Sequence, residues 1–155
     1  MNILFVCLGN ICRSPLAEGI FSDLIEKNQL DWVCDSAGTS GWHINEMPDH
    51  RSILIARENG IDISHQRSRK LQNSDFERFQ YIIAMDKSNL ENINQIQPRG
   101  TKTQIHMLRD FDPIDPGANV PDPYYGGEDG FRDCFIMIER SCKMLMAEIR
   151  KDNAG

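Results

Sequence analysis

The sequence predicts an α/β fold: a four-stranded parallel sheet flanked by helices on both faces. Three observations predict it. Short apolar runs of strand length are each followed by a stretch of helical period, four times along the chain. The clearest of these runs is continuously apolar rather than alternating, as a strand buried on both faces reads. A length of 155 residues, with 40% hydrophobic and 26% charged side chains, suits a single domain spanning 1–155 around one core.

The elements follow in order. Asn2 to Leu8 reads as a buried strand, with Ile3, Leu4, Phe5 and Val6 in succession. Ser14-Pro15 predicts a helix start, Ser14 as N-cap and Pro15 at the first helical position. Leu16, Ile20, Phe21, Leu24 and Ile25 then recur at helical spacing. Trp32 to Ser36 predicts a second strand, ended by the glycines of the 37–41 segment. Arg51 to Asn59 predicts a helix stopped by Gly60. Tyr81 to Met85 predicts the third strand, Ser88 to Ile96 a short helix, and Ile105 to Leu108 the fourth strand. Phe135, Ile138, Cys142, Leu145 and Ile149 share one face of a final helix over Phe131 to Lys151. Arg109 to Gly130 carries four prolines and four glycines; a loop this long inside a compact domain is usually functional.

Charge and cysteine usage narrow the function classes. The formal charge is −6, from 17 Lys plus Arg against 23 Asp plus Glu, which argues against nucleic acid or an anionic membrane as partner. Any anion site must therefore be built locally. The longest apolar run, Ile3 to Leu8, is too short to cross a bilayer and lacks the flanks of a signal peptide, so the expected location is the cytoplasm. The five cysteines, Cys7, Cys12, Cys34, Cys134 and Cys142, are odd in number and contain no C-x-x-C pair. Neither a disulfide framework nor a metal site is expected.

In folds of this class ligands bind beyond the C-terminal ends of strands, where the next helix begins. The first such junction reads Cys7-Leu8-Gly9-Asn10-Ile11-Cys12-Arg13-Ser14-Pro15. Successive backbone N–H groups in a tight loop can form an anion-binding nest, and a helix N-terminus adds positive partial charge. Arg13 can grip two oxygens of a phosphate in its planar fork. Gly9 and Asn10 tolerate the positive φ that a tight cradle needs. Cys7, at the strand end, is expected to point into the nest, where the field that binds phosphate also stabilises a thiolate. Ser14 can add a hydrogen bond to the sulfur. A lone cysteine would read as core; strand, Cys, spacer, Arg and Ser-Pro together do not. The Walker and dinucleotide glycine patterns are both missing.

These residues carry a resemblance. The run Cys7 to Pro15 resembles the signature of the low-molecular-weight protein tyrosine phosphatases. So do the segments at 35–42, Ile61 through His65 to Ser68, 85–89, and Asp122-Pro123-Tyr124-Tyr125. The resemblance covers nearly the whole chain. It implies the Rossmann-like fold of phosphotyrosine phosphatase I type, and hydrolysis of phosphotyrosine and aryl phosphate through a cysteinyl-phosphate, without a cofactor. It implies a loop of Leu8, Gly9, Asn10, Ile11, Cys12, Arg13 and Ser14 that binds phosphate, with Cys7, Arg13 and Asp122 catalytic. A polar network of Asn10, Ser14, Ser36 and His65 is implied beneath the loop. Leu8, Trp42 and Tyr124 are implied as walls of the pocket, and Tyr125 is a further candidate. Cys12 is implied as a redox partner that forms a protective disulfide with an oxidised Cys7. The expected partners are phosphotyrosine-containing proteins, with no nucleic acid and no membrane, and the chain is expected to be a monomer or weak dimer.

The residues themselves support an acid on the long loop. A phosphate monoester needs its leaving oxygen protonated, and a positioned acid contributes ~10²–10⁴-fold. The loop offers Asp112, Asp115 and Asp122. Asp122 is favoured because Pro123 stiffens its backbone and two tyrosines follow, and the resemblance selects the same residue. Two other readings compete with this one. A thiol-dependent arsenate reductase of the same fold needs further redox cysteines near the loop, and none lies between Cys34 and Cys134. A non-catalytic phosphoprotein-binding module could dispense with Cys7, Arg13 or Asp122, yet all three are present.

Overall fold

The computed structural model describes residues 1–124 and 126–154. Its centre is β1 (Asn2–Cys7), paired in parallel with β2 (Val33–Gly38) on one side and β3 (Tyr81–Ala84) on the other. β4 (Gln104–Met107) pairs in parallel with β3, giving the order β2-β1-β3-β4. The chain reverses its direction of winding at β1, so the crevice beyond Cys7 is the switch point where such sheets bind ligands.

Alternation along β1 divides the core. Ile3, Phe5 and Cys7 point to one face, where they join residues of α1 (Arg13–Lys27), α2 (His50–Glu58) and α5 (Glu128–Asp152). Leu4 and Val6 point to the other, against α3 (Asp75–Arg78) and α4 (Lys87–Ile96). Helices therefore cover both faces, and the continuous apolar run of β1 is required because neither of its faces meets water. Phe5 meets the edge of Phe21 at 5.4 Å between ring centres, locking α1 onto the sheet.

Each predicted strand and helix is present, with shifted ends. β2 runs on to Gly38 because Cys7 pairs with Gly38, and Gly38 also exchanges backbone hydrogen bonds with Arg69 and Leu71. The short α3 and a 3₁₀ turn at Leu108–Phe111 carry too few residues for a periodic signal. The start of α1 differs in kind. The helix begins at Arg13, its cap position is Cys12, and no side chain caps it. Ser14 is not the N-cap, because its hydroxyl is committed to the sulfur of Cys7.

The long loop is tied down at its root. Asp112 is fully buried between two guanidinium groups, accepting from Arg109 at 2.9 Å and from Arg140 at 2.8 Å. These bonds hold its carboxyl well below the usual carboxylate range, Arg140 contributing most. Beyond it, Val120 donates to the carbonyl of Met85 and accepts from Arg13, which brings the next residues back over the end of β1. Among the described residues no helix is long and apolar enough to cross a membrane.

Candidate active site

The loop from Cys7 to Arg13 closes around the Cys7 sulfur. Asn10 takes a left-handed conformation, φ 56°, which turns its own N–H back onto that sulfur at 3.3 Å. Gly9 is not in the left-handed region; of the two candidates only Asn10 makes the turn. Gly9 serves by its missing side chain, since a Cβ there would stand 3.1 Å from the ring of His43. Gly38 is tighter still: a Cβ would meet the carbonyl oxygen of Leu8 at 2.8 Å. The loop thus lies directly on the end of β2, and Thr39 and Ser40 donate to the carbonyls of Cys7 and Leu8.

A chain of hydrogen bonds holds this shape from below. The Asn10 amide donates to Ser14 Oγ at 2.8 Å and to Ser36 Oγ at 2.9 Å, while its oxygen accepts from the Arg69 N–H at 3.0 Å. Because Asn10 donates into the Ser14 hydroxyl, the hydroxyl proton is left for the Cys7 sulfur, 3.0 Å away. Ser36, filled by Asn10 in the same way, donates to Glu18 at 2.6 Å. Burial pushes the Glu18 carboxyl up to about 7, with Asp35 adding to the rise and Ser36 and Arg69 opposing it.

His65 is not in this network. Ile63 and Gln66 take the inward positions of that segment, Gln66 donating to the carbonyl of Pro15. His65 is turned outward and exposed, lining a shallow depression on the far side of Glu18. Glu18 ends the chain where the histidine was expected. A glutamate on a helix face reads as a solvated charge, and only the packing of β2 against α1 reveals otherwise.

Arg13 is 2% exposed and braced from behind. Its Nη1 donates to Asp86 at 2.6 Å and to the carbonyl of Val120 at 2.9 Å, and its Nη2 stands 3.6 Å from the carboxylate of Asp122. Burial works against its charge, but Cys7, Asp86 and Asp122 outweigh it and hold the guanidinium protonated. Asp86 also caps α4, accepting from the Asn89 N–H at 2.7 Å. Nothing in the sequence marks Asp86 as Arg13's partner, because 73 positions separate them.

Cys7 and Arg13 form the floor of a cleft of about 170 Å³, walled by Leu8, Ile11, Trp42, His43 and Tyr124, with Asp122 at its rim. Of the loop's three candidate acids, Asp112 is consumed by its ion pairs and Asp115 stands beside Arg109, while Asp122 reaches the cleft. Its carboxylate accepts from the Tyr124 N–H at 3.0 Å. Trp42 is 75% exposed, a surface flank rather than core. Tyr125, the other candidate wall, lies outside the described residues. His43, a wall that no sequence motif marks, faces Glu46 at 2.8 Å.

A wider depression of about 470 Å³ lies at the opposite end of the sheet, around Met1, Tyr81 and Gln104. Its lining offers no cysteine or histidine and lies at the N-terminal end of the strands, so the smaller cleft is the candidate site. Cys12 lines the cleft beside Cys7; burial, with Asp49 and Cys7 nearby, pushes its thiol well up. Cys134 comes closer to the site than its sequence position suggests, donating to the carbonyl of Pro121 at 3.1 Å, and burial pushes it up to about 12. Among the described residues no group of three or more His, Cys, Asp or Glu is placed to hold a metal ion.

The class is that of an α/β protein with a cysteine cradled in a tight strand-to-helix loop, backed by arginine and faced by a carboxylate. The sequence profile described as low molecular weight phosphotyrosine protein phosphatase matches residues 2–154. A low molecular weight phosphotyrosine protein phosphatase of Schizosaccharomyces pombe is 46% identical over 143 residues, covering 89% of this chain and 90% of the relative. A protein tyrosine phosphatase from Entamoeba histolytica superposes with a TM-score of 0.93 at 38% identity, covering 98% of each chain. A Drosophila structure named an arginine phosphatase superposes with a TM-score of 0.91 at 31% identity, covering 99% of this chain. The chain belongs to the low molecular weight phosphotyrosine protein phosphatase family.

Proposed function

We propose that this member of the family is a protein-tyrosine phosphatase that hydrolyses phosphotyrosine and aryl phosphate monoesters through a cysteinyl-phosphate on Cys7. The observation that carries the reading is the meeting of Cys7, Arg13 and Asp122 at one cleft. The phosphoryl oxygens take the backbone N–H groups of the loop from Leu8 to Ser14 and the N-terminus of α1. With Nη1 of Arg13 held by Asp86 and Val120, Nη2, 3.6 Å from Asp122, is the end of the guanidinium that meets the phosphoryl group. Leu8, Trp42 and Tyr124 flank the phenol ring.

In the first step the Cys7 thiolate attacks phosphorus, the bond to the phenolic oxygen breaks, and Asp122 gives that oxygen its proton. In the second, Asp122 as carboxylate takes a proton from water, the water attacks phosphorus, and the S–P bond breaks to release phosphate. The Ser14 hydroxyl, aimed at the sulfur by Asn10, stabilises the thiolate that leaves. The reaction asks for no cofactor, and activity is expected to survive chelators. The substrates are phosphotyrosine-containing proteins, met in the cytoplasm. Cys12 is the resolving thiol if peroxide oxidises Cys7: the sulfenic acid condenses with it, releasing water, and two equivalents of a cellular thiol restore both cysteines, leaving as their own disulfide.

The test is Cys7→Ser and Asp122→Asn assayed on aryl phosphates. Cys7→Ser should abolish hydrolysis while retaining phosphate-analogue binding; substantial residual turnover would overturn the nucleophile. Asp122→Asn should lose about 10²–10⁴-fold, most for poor leaving groups. Equal loss for good and poor leaving groups would remove Asp122 as the acid. A phosphorylated arginine serves as counter-substrate, since a structural neighbour bears an arginine phosphatase name; a higher kcat/KM on it would displace the phosphotyrosine assignment.

A further inference from the structure

We infer that Arg51 is a positioning residue for the reaction: its guanidinium, forked on Asp49, grips the main chain beside Asp122 and sets where that carboxyl stands over the phosphate loop. The inference rests on Asp122 being the acid.

The geometry runs through both walls of the cleft. On one side, the N-terminal turn of α2 is fastened to the phosphate loop. The Asp49 N–H donates to the carbonyl of Ile11 at 2.7 Å, and Ser52 Oγ donates to the carbonyl of Cys12 at 3.2 Å. Asp49 then receives Arg51 three ways: from its backbone N–H at 2.9 Å, from Nε at 3.0 Å and from Nη2 at 3.1 Å. The paired contact from Nε and Nη2 fixes the plane of the guanidinium, as a fork on a carboxylate does.

On the other side, the outer edge of the same group reaches the acid segment. Nη2 donates to the carbonyl of Tyr124 at 2.9 Å and Nη1 to that of Gly126 at 3.1 Å. The Tyr124 backbone is therefore gripped at both ends: Arg51 holds its carbonyl, and its N–H holds the Asp122 carboxylate at 3.0 Å. The guanidinium carbon also lies 4.4 Å from the ring centre of Phe131 at the start of α5, and 5.7 Å from that of Tyr124. One side chain thus joins the start of α2, the acid segment and α5, and reaches the phosphate loop through Asp49.

An ordinary surface ion pair would not be built this way. Such pairs contribute little and constrain little. Here two of the bonds end on main-chain carbonyls 73 and 75 positions away, next to the residue whose placement the chemistry needs. Small misplacements of a reacting group are costly, on the order of 10²-fold for ~1 Å. Loss of Arg51 should therefore fall on proton transfer to the leaving group and spare the cradle.

The experiment measures kcat/KM, which reports the step that expels the leaving group, for aryl phosphates spanning poor and good leaving groups. Wild type, Arg51→Met, Arg51→Lys, Asp122→Asn and the Arg51→Met/Asp122→Asn double variant are compared, with inhibition by inorganic phosphate alongside. Methionine keeps an apolar contact to Phe131; lysine keeps the charge but cannot bridge Asp49 and two carbonyls. Both are expected to lose about 10–100-fold on poor leaving groups and little on good ones. Phosphate inhibition should stay within about twofold, and the Arg51 change should cost little more once Asp122 is already Asn. Equal losses across leaving groups, weakened phosphate inhibition, or an undiminished loss in the Asp122→Asn background would make Arg51 a structural brace only. Retention of full activity by the lysine variant would replace positioning by charge. If Asp122→Asn itself shows no leaving-group dependence, the acid assignment fails first and the role of Arg51 with it. Should Arg51→Met not fold, Arg51→Lys carries the same comparison.

Discussion

Replacing Asn10 by glycine and, separately, by alanine divides the stability of the phosphate loop into its two sources. Asn10 is 2% exposed, donates to Ser14 and Ser36, accepts from the Arg69 N–H, and holds φ at 56°. Glycine keeps the left-handed turn and removes the three bonds. Ser14 and Ser36 retain other partners in Cys7 and Glu18, so each of those two losses amounts to about 1 kcal/mol. The Arg69 N–H is left without the partner Asn10 gave it, at about 1–3 kcal/mol. The Asn10→Gly variant should therefore be about 3–5 kcal/mol less stable, a fall in Tm of roughly 6–20 °C for a chain of this size. Alanine adds the left-handed penalty of about 1–2 kcal/mol, offset by about 0.4–1 kcal/mol gained from a stiffer unfolded chain. It should lie up to about 1.6 kcal/mol below glycine. Urea titration followed by tryptophan fluorescence and by circular dichroism measures both differences, and coincident transitions check the two-state assumption. A glycine variant within about 0.5 kcal/mol of wild type would refute the network as a support of the loop, since even one bond should exceed that. An alanine variant more stable than glycine would show that the turn at Asn10 is not held under constraint.

Three further outcomes are expected. Gly38→Ala should drive the phosphate loop off the end of β2, because the new Cβ meets loop backbone at 2.8–3.2 Å, with about 10²-fold loss of kcat/KM and weakened phosphate inhibition; near-normal kinetics would show that the loop yields freely. Glu18 is held near 7 in the folded protein against 4.5 ordinarily, so folding retains a proton between those values. Its contribution is full below about pH 4.5 and lost as pH rises through 7, on the order of 3 kcal/mol, and Glu18→Gln should flatten that part of the stability–pH curve; an unchanged slope in urea titrations across that range would contradict it. Asp112→Ala leaves Arg109 and Arg140 facing each other without their shared carboxylate and should cost about 3–5 kcal/mol at neutral pH. The Asp112 carboxyl is depressed in the folded state, so its contribution is present above about pH 3.8 and fades as pH falls below it; the variant should lose less than wild type on acidification.

Much of the fold was legible because its signals are local. The apolar run of β1, the helical spacing from Leu16 to Ile25 and the face from Phe135 to Ile149 are fixed by near neighbours in sequence. The boundaries that slipped are those set by distant partners. Gly38 belongs to β2 because Cys7 lies beside it, and Ser14 fails as a cap because a sulfur seven positions away claims its hydroxyl. The candidate site divides in the same way. Cys7, Asn10 and Arg13 sit in one short segment whose chemistry can be read directly. Asp122 could be singled out by the residues around it, and the ion pairs that remove Asp112 from consideration are visible only in three dimensions.

The sheet, the tight loop after β1 and the residue types set around the Cys7 sulfur are written in short stretches of chain, because apolar strand runs, the tolerance of Asn10 for positive φ and a helix start act over a few residues. Which residues support them emerges on folding. The tertiary structure placed Glu18 where His65 was expected, Asp86 behind Arg13, and Arg51 between the phosphate loop and the acid. A hydrogen bond between residues 18 or 73 positions apart leaves no trace in spacing. Its partners are chosen by which side chains the packed helices bring within about 3 Å, and that distance exists only once the chain has folded.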